Sequence, residues 1–180
     1  MMFSCKELLM GISSSLVASL IFLFILLIFL RPRVKIAPII CLQKDIFENT
    51  SRDCYIFKII NLSYFSAYDI SLELCNQVTY PVKDGINYRY FPLKLKTNHL
   101  NFVAPYRPRW YKKEYGKYAM LFITYENISE IIDNERNSIK IQVTLKHGLT
   151  GLTKVFSAEY VSISDIAKGH FAFGNNIKIN

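Results

Sequence analysis

The sequence predicts a mainly β protein held behind a single membrane helix. Three observations predict it. The stretch Leu8 to Leu30 contains 23 residues and no charge. Most of the chain beyond Lys35 alternates apolar and polar residues with period two, and turn residues interrupt those stretches at short intervals. The 180 residues are 51% hydrophobic, which excludes a disordered chain. Seven glycines and six prolines exclude collagen-like and low-complexity classes, and no repeat period is visible.

The membrane element comes first. At about 1.5 Å per residue, 23 residues make a helix roughly 34 Å long, enough to cross a hydrocarbon core of about 30 Å. A signal peptide is the rival reading, with Lys6 as its basic flank. The run is long for that, and it ends in Leu30-Arg31-Pro32-Arg33 without a small-residue cleavage site. An uncleaved, single-pass anchor over residues 1–34 is expected. Lys6 and Glu7 cancel before it, whereas Arg31, Arg33 and Lys35 come after it with no acid until Asp45. The positive-inside rule then puts residues 35–180 in the cytoplasm, at the cell inner membrane. Gly11, Ser15 and Ser19 recur every four residues, a small-residue face that lets helices pack closely or line a pore. The plainer alternative is that these serines bond their own helix carbonyls.

The β elements come next along the chain. Tyr55 to Ile60 is a strand ended by Asn61, and Asn61 to Ala67 is a short corner. In Tyr68 to Leu74, the residues Ile70, Leu72 and Leu74 face one way and Asp69, Ser71 and Glu73 the other, a strand with one buried face. Tyr118 to Tyr125 is apolar throughout, which predicts a central strand. Asn127 to Asn134 reads as one or two helical turns capped by Asn127 or Ser129. Ser138 to Leu145 alternates again, His147 to Gly151 turns, and Lys154 to Ser162 returns as its partner. Ser164 to Lys168 is a single capped turn closed by Gly169. Such spacing, with little helix, predicts an immunoglobulin-like antiparallel β-sandwich.

The stretch Phe57 to Asn61 with Ala67 to Leu74 resembles an early hairpin of prokaryotic membrane-anchored immunoglobulin-like domains. Val143 to Phe171, with Tyr160, Asp165-Ile166 and Gly169, is similar to the end of the cytoplasmic domain of inward-rectifier potassium channels. These cover about a third of the chain, which has one helix where the channels have two and no filter loop. In layout the chain also resembles the ion-channel-like effectors of Hailong anti-phage systems. That resemblance implies an oligomeric pore that depolarises the membrane under control of a nucleotide-derived ligand, made by a signalling enzyme of the same system.

Charge is concentrated between Val82 and Lys117. This window holds nine Lys/Arg against Asp84 and Glu114, with eight aromatics and three prolines, and reads as a long structured insert. Cations interleaved with rings suit a ligand that carries both phosphates and bases. Arg89, Arg107, Arg109, Lys112 and Lys113 would meet phosphate, and Tyr106, Trp110 or Tyr111 would stack a base. The same composition suits an anionic leaflet, a partner subunit, or a plain solvated loop.

No pattern of an enzyme, metal or cofactor site is present. His99, His147 and His170 fall in no metal spacing, and P-loop, nucleophile-elbow and dinucleotide-binding patterns are absent from the sequence. His147 is expected to bond within its turn. Glu126, Glu130, Asp133 and Glu135 read as a solvated acidic face. Cys5, Cys41, Cys54 and Cys75 form no close pair. Three Asn-x-Ser triplets begin at Asn49, Asn61 and Asn127 and matter only in a secreted eukaryotic protein. Two functions are therefore expected as alternatives: a homo-oligomeric, nucleotide-sensing membrane effector, or a non-enzymatic anchored adaptor that recruits a protein.

Overall fold

The structure is a computed structural model that describes residues 5–45, 52–107 and 116–180. The chain divides into two units, Met1–Arg31 and Pro32–Asn180. In the first, α1 (Cys5–Phe29) contains Leu9–Leu27, a segment long and apolar enough to cross a membrane. The second unit begins three residues earlier than the sequence suggests. Pro32 is buried, the Arg33 amide donates to Ser63 Oγ (2.8 Å), and Leu62 N donates to the Arg33 carbonyl (2.8 Å). The stretch Arg31 to Pro38 is thus not all linker, because β1 (Val34–Ile36) is already paired in a sheet.

Two sheets make the second unit. In the first, β3 (Asp53–Asn61) is flanked on one edge by β1 and β2 (Ile40–Lys44) and on the other by β7 (Ala119–Thr124). The short β10 (Ile166–Lys168) adds to β2 as a parallel strand, against the antiparallel rule elsewhere. In the second sheet, β4 (Ala67–Val82) carries β5 (Gly85–Pro92) and β6 (His99–Val103) along one edge and β8 (Asn137–His147) along the other, with β9 (Thr153–Tyr160) outside β8. The mainly β, sandwich-like fold expected from sequence is present.

The core lies between the sheets, where the alternation put it. Ile70, Leu72 and Leu74 of β4 and Ile139, Ile141, Val143 and Leu145 of β8 are buried against Phe57, Ile59 and Phe122. The turn α2 (Ile128–Ile132) seals one end with Ile128 and Ile132, and its cap is Asn127, whose side chain accepts from Glu130 N. Tyr160 crosses the core, and its buried hydroxyl donates to the Ala37 carbonyl at 2.7 Å.

Four expectations need correction. The central strand of its sheet is β3, whereas β7 lies at the edge with Leu121 52% exposed. Residues Cys54 to Asn61 are buried on both faces because Phe171 and Ile179 cover the outer one, packing against Cys41, Cys54 and Ile56. An apolar run marks burial on both faces, and here the run of β3 carries that meaning. Second, β3 and β4 do not form a hairpin. Asn61 to Ser66 carries the chain from one sheet to the other. Third, the turn before β10 is a 3₁₀ turn (Ile163–Asp165) capped by Ser162, not by Ser164. Fourth, the window from Val82 to Lys117 is not one insert, since β5 and β6 regularise its first half.

Candidate functional site

Five segments meet at the end of the sandwich where the chain enters, here called the corner end. Its keystone is Asn61, fully buried. The Asn61 amide donates to the carbonyls of Phe65 (3.1 Å) and Ala104 (3.0 Å), and its oxygen accepts from Ser63 N (3.0 Å). Tyr106 N donates to the Ser63 carbonyl (2.8 Å), Ala104 N to the Lys117 carbonyl (3.3 Å), and Gly148 N to the Ser66 carbonyl (2.9 Å). Gly148 is required there, since a Cβ would stand 2.7 Å from the Ser66 oxygen. The Asn61 triplet is therefore a structural element with no accessible amide, and Asn127 is occupied as a helix cap.

The predicted phosphate and base contacts divide between two places. Tyr106 lies at the corner end, its ring edge-on to Tyr118 (5.3 Å) and its hydroxyl accepting from Asn175 Nδ2 (3.2 Å). Arg107 and Lys117 line a notch of about 200 Å³ beside Pro105 and Tyr118. Arg109, Trp110, Tyr111, Lys112 and Lys113 lie outside the described residues. Arg89 belongs elsewhere. It sits on β5 opposite Val78, eleven residues along β4 from Ala67, which is paired with Val103 at the corner end. At about 3.3 Å per residue that is roughly 36 Å. Its guanidinium stands over the Tyr80 ring at 5.9 Å. The sequence reading of Arg89 as a partner of Tyr106 and Arg107 in one site is thus corrected by strand length.

What the sequence reading missed is the β4–β5 hairpin around Arg89. Past Val78, where its pairing with β8 ends, β4 runs on and turns at Lys83-Asp84 into β5, every residue of which is exposed. One face bears Tyr80 (39% exposed), Val82 (40%) and Phe91 (46%), and the other Ile86 (62%), Tyr88 (52%) and Tyr90 (49%). Among the described residues β5 pairs only with β4, so its second edge is open. The signal was present in Val82-Lys-Asp-Gly85, a two-residue turn between alternating stretches. Pro92 suggested irregular chain, but it and Pro81 both fit a sheet edge. A separate cleft of about 400 Å³ opens between the places where β5 and β6 join β4, and Glu73, Cys75 and Lys94 line it.

On α1, Gly11, Ser15 and Ser19 line one shallow groove with Ile12 and Leu16. A Cβ at Gly11 would meet nothing within 4 Å, so this chain alone does not require glycine there. Ser13 and Ser14 do bond backwards along the helix, to the carbonyls of Leu9 (2.9 Å) and Gly11 (3.0 Å).

The buried ionisable groups have structural partners. Lys58 donates to the carbonyls of Ala172 and Asn176 (2.8 Å for the latter), and burial pushes its ammonium below the usual lysine range. His147 is buried with Nδ1 at 3.1 Å from Thr150 Oγ1, inside its turn as expected, and burial lowers its pKa. Tyr125 donates to Asp45, with Lys96 Nζ 3.9 Å from the same carboxylate. The thiols of Cys41, Cys54 and Cys75 are free and pushed up by burial, away from reactivity. Among the described residues no group of three His, Cys, Asp or Glu is placed to hold a metal ion. No protein-family model and no curated protein matches the chain.

Proposed function

We propose that this chain is a non-catalytic, single-pass membrane effector that works as a homo-oligomer. Its C-terminal sandwich lies in the cytoplasm, where Arg31, Arg33 and Lys35 hold it by the positive-inside rule. A nucleotide or oligonucleotide meets Tyr106, Arg107 and the cationic residues up to Lys113, and its occupancy changes how the serine-bearing helices pack. A pore then opens or closes and the membrane depolarises. Anti-phage defence is the setting implied by the resemblance to Hailong effectors, with a signalling enzyme of the same system as the source of the ligand.

The observation that carries this reading is that both units leave an interaction surface bare. The helix offers a small-residue groove that its own chain does not need. The sandwich offers a hairpin with large apolar side chains on both faces. An inert anchor needs only the second. Native mass spectrometry of the full-length protein, extracted gently in detergent, tests the reading. A defined oligomer with added mass in nucleotide-sized steps is expected, and the Gly11→Leu, Ser15→Leu, Ser19→Leu variant should lose it. A bare monomer overturns the proposal.

The open edge of β5 favours a second reading. A partner protein could add a strand there, which would make the chain an anchored adaptor. In that case the helix tolerates replacement by any apolar sequence, and the triple-leucine variant keeps its activity.

A further inference from the structure

The two ends of the sandwich carry opposite charge. At the far end, the connection 125–136 holds Glu126, Glu130, Asp133 and Glu135 against Arg136 alone. At the corner end, the five segments around Arg33, 61–68, 101–107, 116–119 and 146–152 contain no acid, and Asp69 just beyond them is held by His99 at 2.8 Å. They carry Arg33, Arg107, Lys117 and Lys146, all exposed. Between these cations stand large apolar side chains with no cover. Tyr64 is 65% exposed, Leu149 59%, Phe102 52% and Leu152 51%. The Tyr68 and Phe102 rings meet edge-on at 5.4 Å, which fixes Phe102 in this exposed position. Leu149 and Leu152 sit in the β8–β9 turn, which the Gly148–Ser66 hydrogen bond ties to the corner.

Uncovered leucines and rings among cations, with Asp69 at their margin and paired with His99, fit one environment well. Aromatic side chains favour the headgroup level of a bilayer, and cations near an anionic leaflet gain from its surface potential. A soluble protein partner would fit the apolar residues but give no reason for cations to outnumber acids there. Connectivity points the same way. Only Leu30, Arg31 and Pro32 separate Phe29, where α1 ends, from Arg33, which is hydrogen-bonded into the corner. At no more than about 3.6 Å per residue, the chain cannot carry Arg33 far from the membrane surface.

We infer that the corner end is a lipid-docking surface: Tyr64, Phe102, Leu149 and Leu152 enter the headgroup region of the leaflet that α1 leaves, and Arg33 and Lys146 bind its anionic lipids. The inference rests on reading α1 as a membrane span. It differs from the proposed ligand site, which uses Tyr106 to Lys113. Docking fixes the sandwich against the bilayer.

The test uses the full chain in nanodiscs of phosphatidylcholine with phosphatidylglycerol, made with or without lipids brominated high on the acyl chain. A Trp110→Phe background carries one reporter, Leu149→Trp, or Leu152→Trp should the first fail to fold. An interfacial residue reaches about 5–10 Å into the headgroup and acyl boundary, so brominated lipid should lower reporter emission about twofold. Adding Arg33→Gln and Lys146→Gln should remove most of that loss. A Leu20→Trp reporter in the same background tests the span itself. Quenching at position 20 without quenching at 149 and 152 overturns the docking surface alone. No quenching at position 20 overturns the membrane span on which it rests.

Discussion

Replacing Asn61 asks whether one buried amide holds the corner end together. Asn61→Ala removes three hydrogen bonds, those to Phe65, Ala104 and Ser63. A typical bond contributes about 1 kcal/mol net, and buried partners left unpaired add to the cost, so the loss is about 3 kcal/mol. In a domain of this size each kcal/mol moves the melting temperature by about 2–4 °C, which makes the expected fall roughly 6–12 °C. Asn61→Asp sharpens the test. Its carboxylate keeps the acceptor for Ser63 N but turns a charged oxygen toward two carbonyl oxygens. At neutral pH it should melt below the alanine variant. Burial and the facing carbonyls raise the pKa of that carboxyl in the folded state, so the folded protein binds the proton first and stability returns as pH falls from 7 toward 5. Asn61→Ala has no such recovery. The assay is thermal unfolding of the full chain in detergent, monitored by the near-ultraviolet circular dichroism of its tyrosines. An alanine variant melting within about 1 °C of the parent, or an aspartate variant indistinguishable from it at neutral pH, refutes the reasoning.

Three further outcomes are expected. Tyr160→Phe leaves the buried Ala37 carbonyl without its donor and should lower unfolding free energy by about 1–3 kcal/mol in a urea titration. His147 has a lowered folded pKa, so the unfolded chain takes up its proton first as pH drops. Stability should therefore decline on acidification from about pH 6.5, and His147→Phe should flatten that decline in a pH series of melts. Tyr88→Asp with Phe91→Asp alters one exposed residue on each face of the hairpin. It should change stability by no more than about 0.5 kcal/mol while removing the oligomer in native mass spectrometry.

Much of the fold was legible because the strands of the second sheet have one wet face. Ile70, Leu72 and Leu74, and likewise Ile139 to Leu145, alternate as the pleat requires, and the structure buries them. Asn127 was legible as a cap because its side chain serves a local donor. What was not legible depends on contacts distant in sequence. Residues 53–61 and 119–124 are similarly apolar, and only pairing on both edges, with the cover from Phe171 and Ile179, makes residues 53–61 the interior strand. The corner at Asn61 gave no sign of changing sheets, because a crossing corner and a hairpin turn use the same small polar residues. At the candidate site, clustering in sequence stood in for clustering in space. It grouped Arg89 with Arg107, although a 16-residue strand separates the places where they lie. Lys146, Leu149 and Leu152 were not legible for the converse reason. They are far from the basic window in sequence and beside its end in space.

The C-terminal segment has a consequence for how the protein is made. Cys41 bonds to the Gly169 carbonyl 128 residues later, and the ammonium of Lys58 is satisfied by carbonyls of residues 172 and 176. Pairings of such sequence separation close late and slowly. During synthesis, β3 is complete when more than a hundred residues still separate it from its cover. The outer side of β3 then stays bare, with a lysine in its middle, until residues 171–179 leave the ribosome. A polypeptide interrupted before that point is open along β3, and would be a ready target for proteases. The order of translation thus makes residues 169–179 a seal on β3.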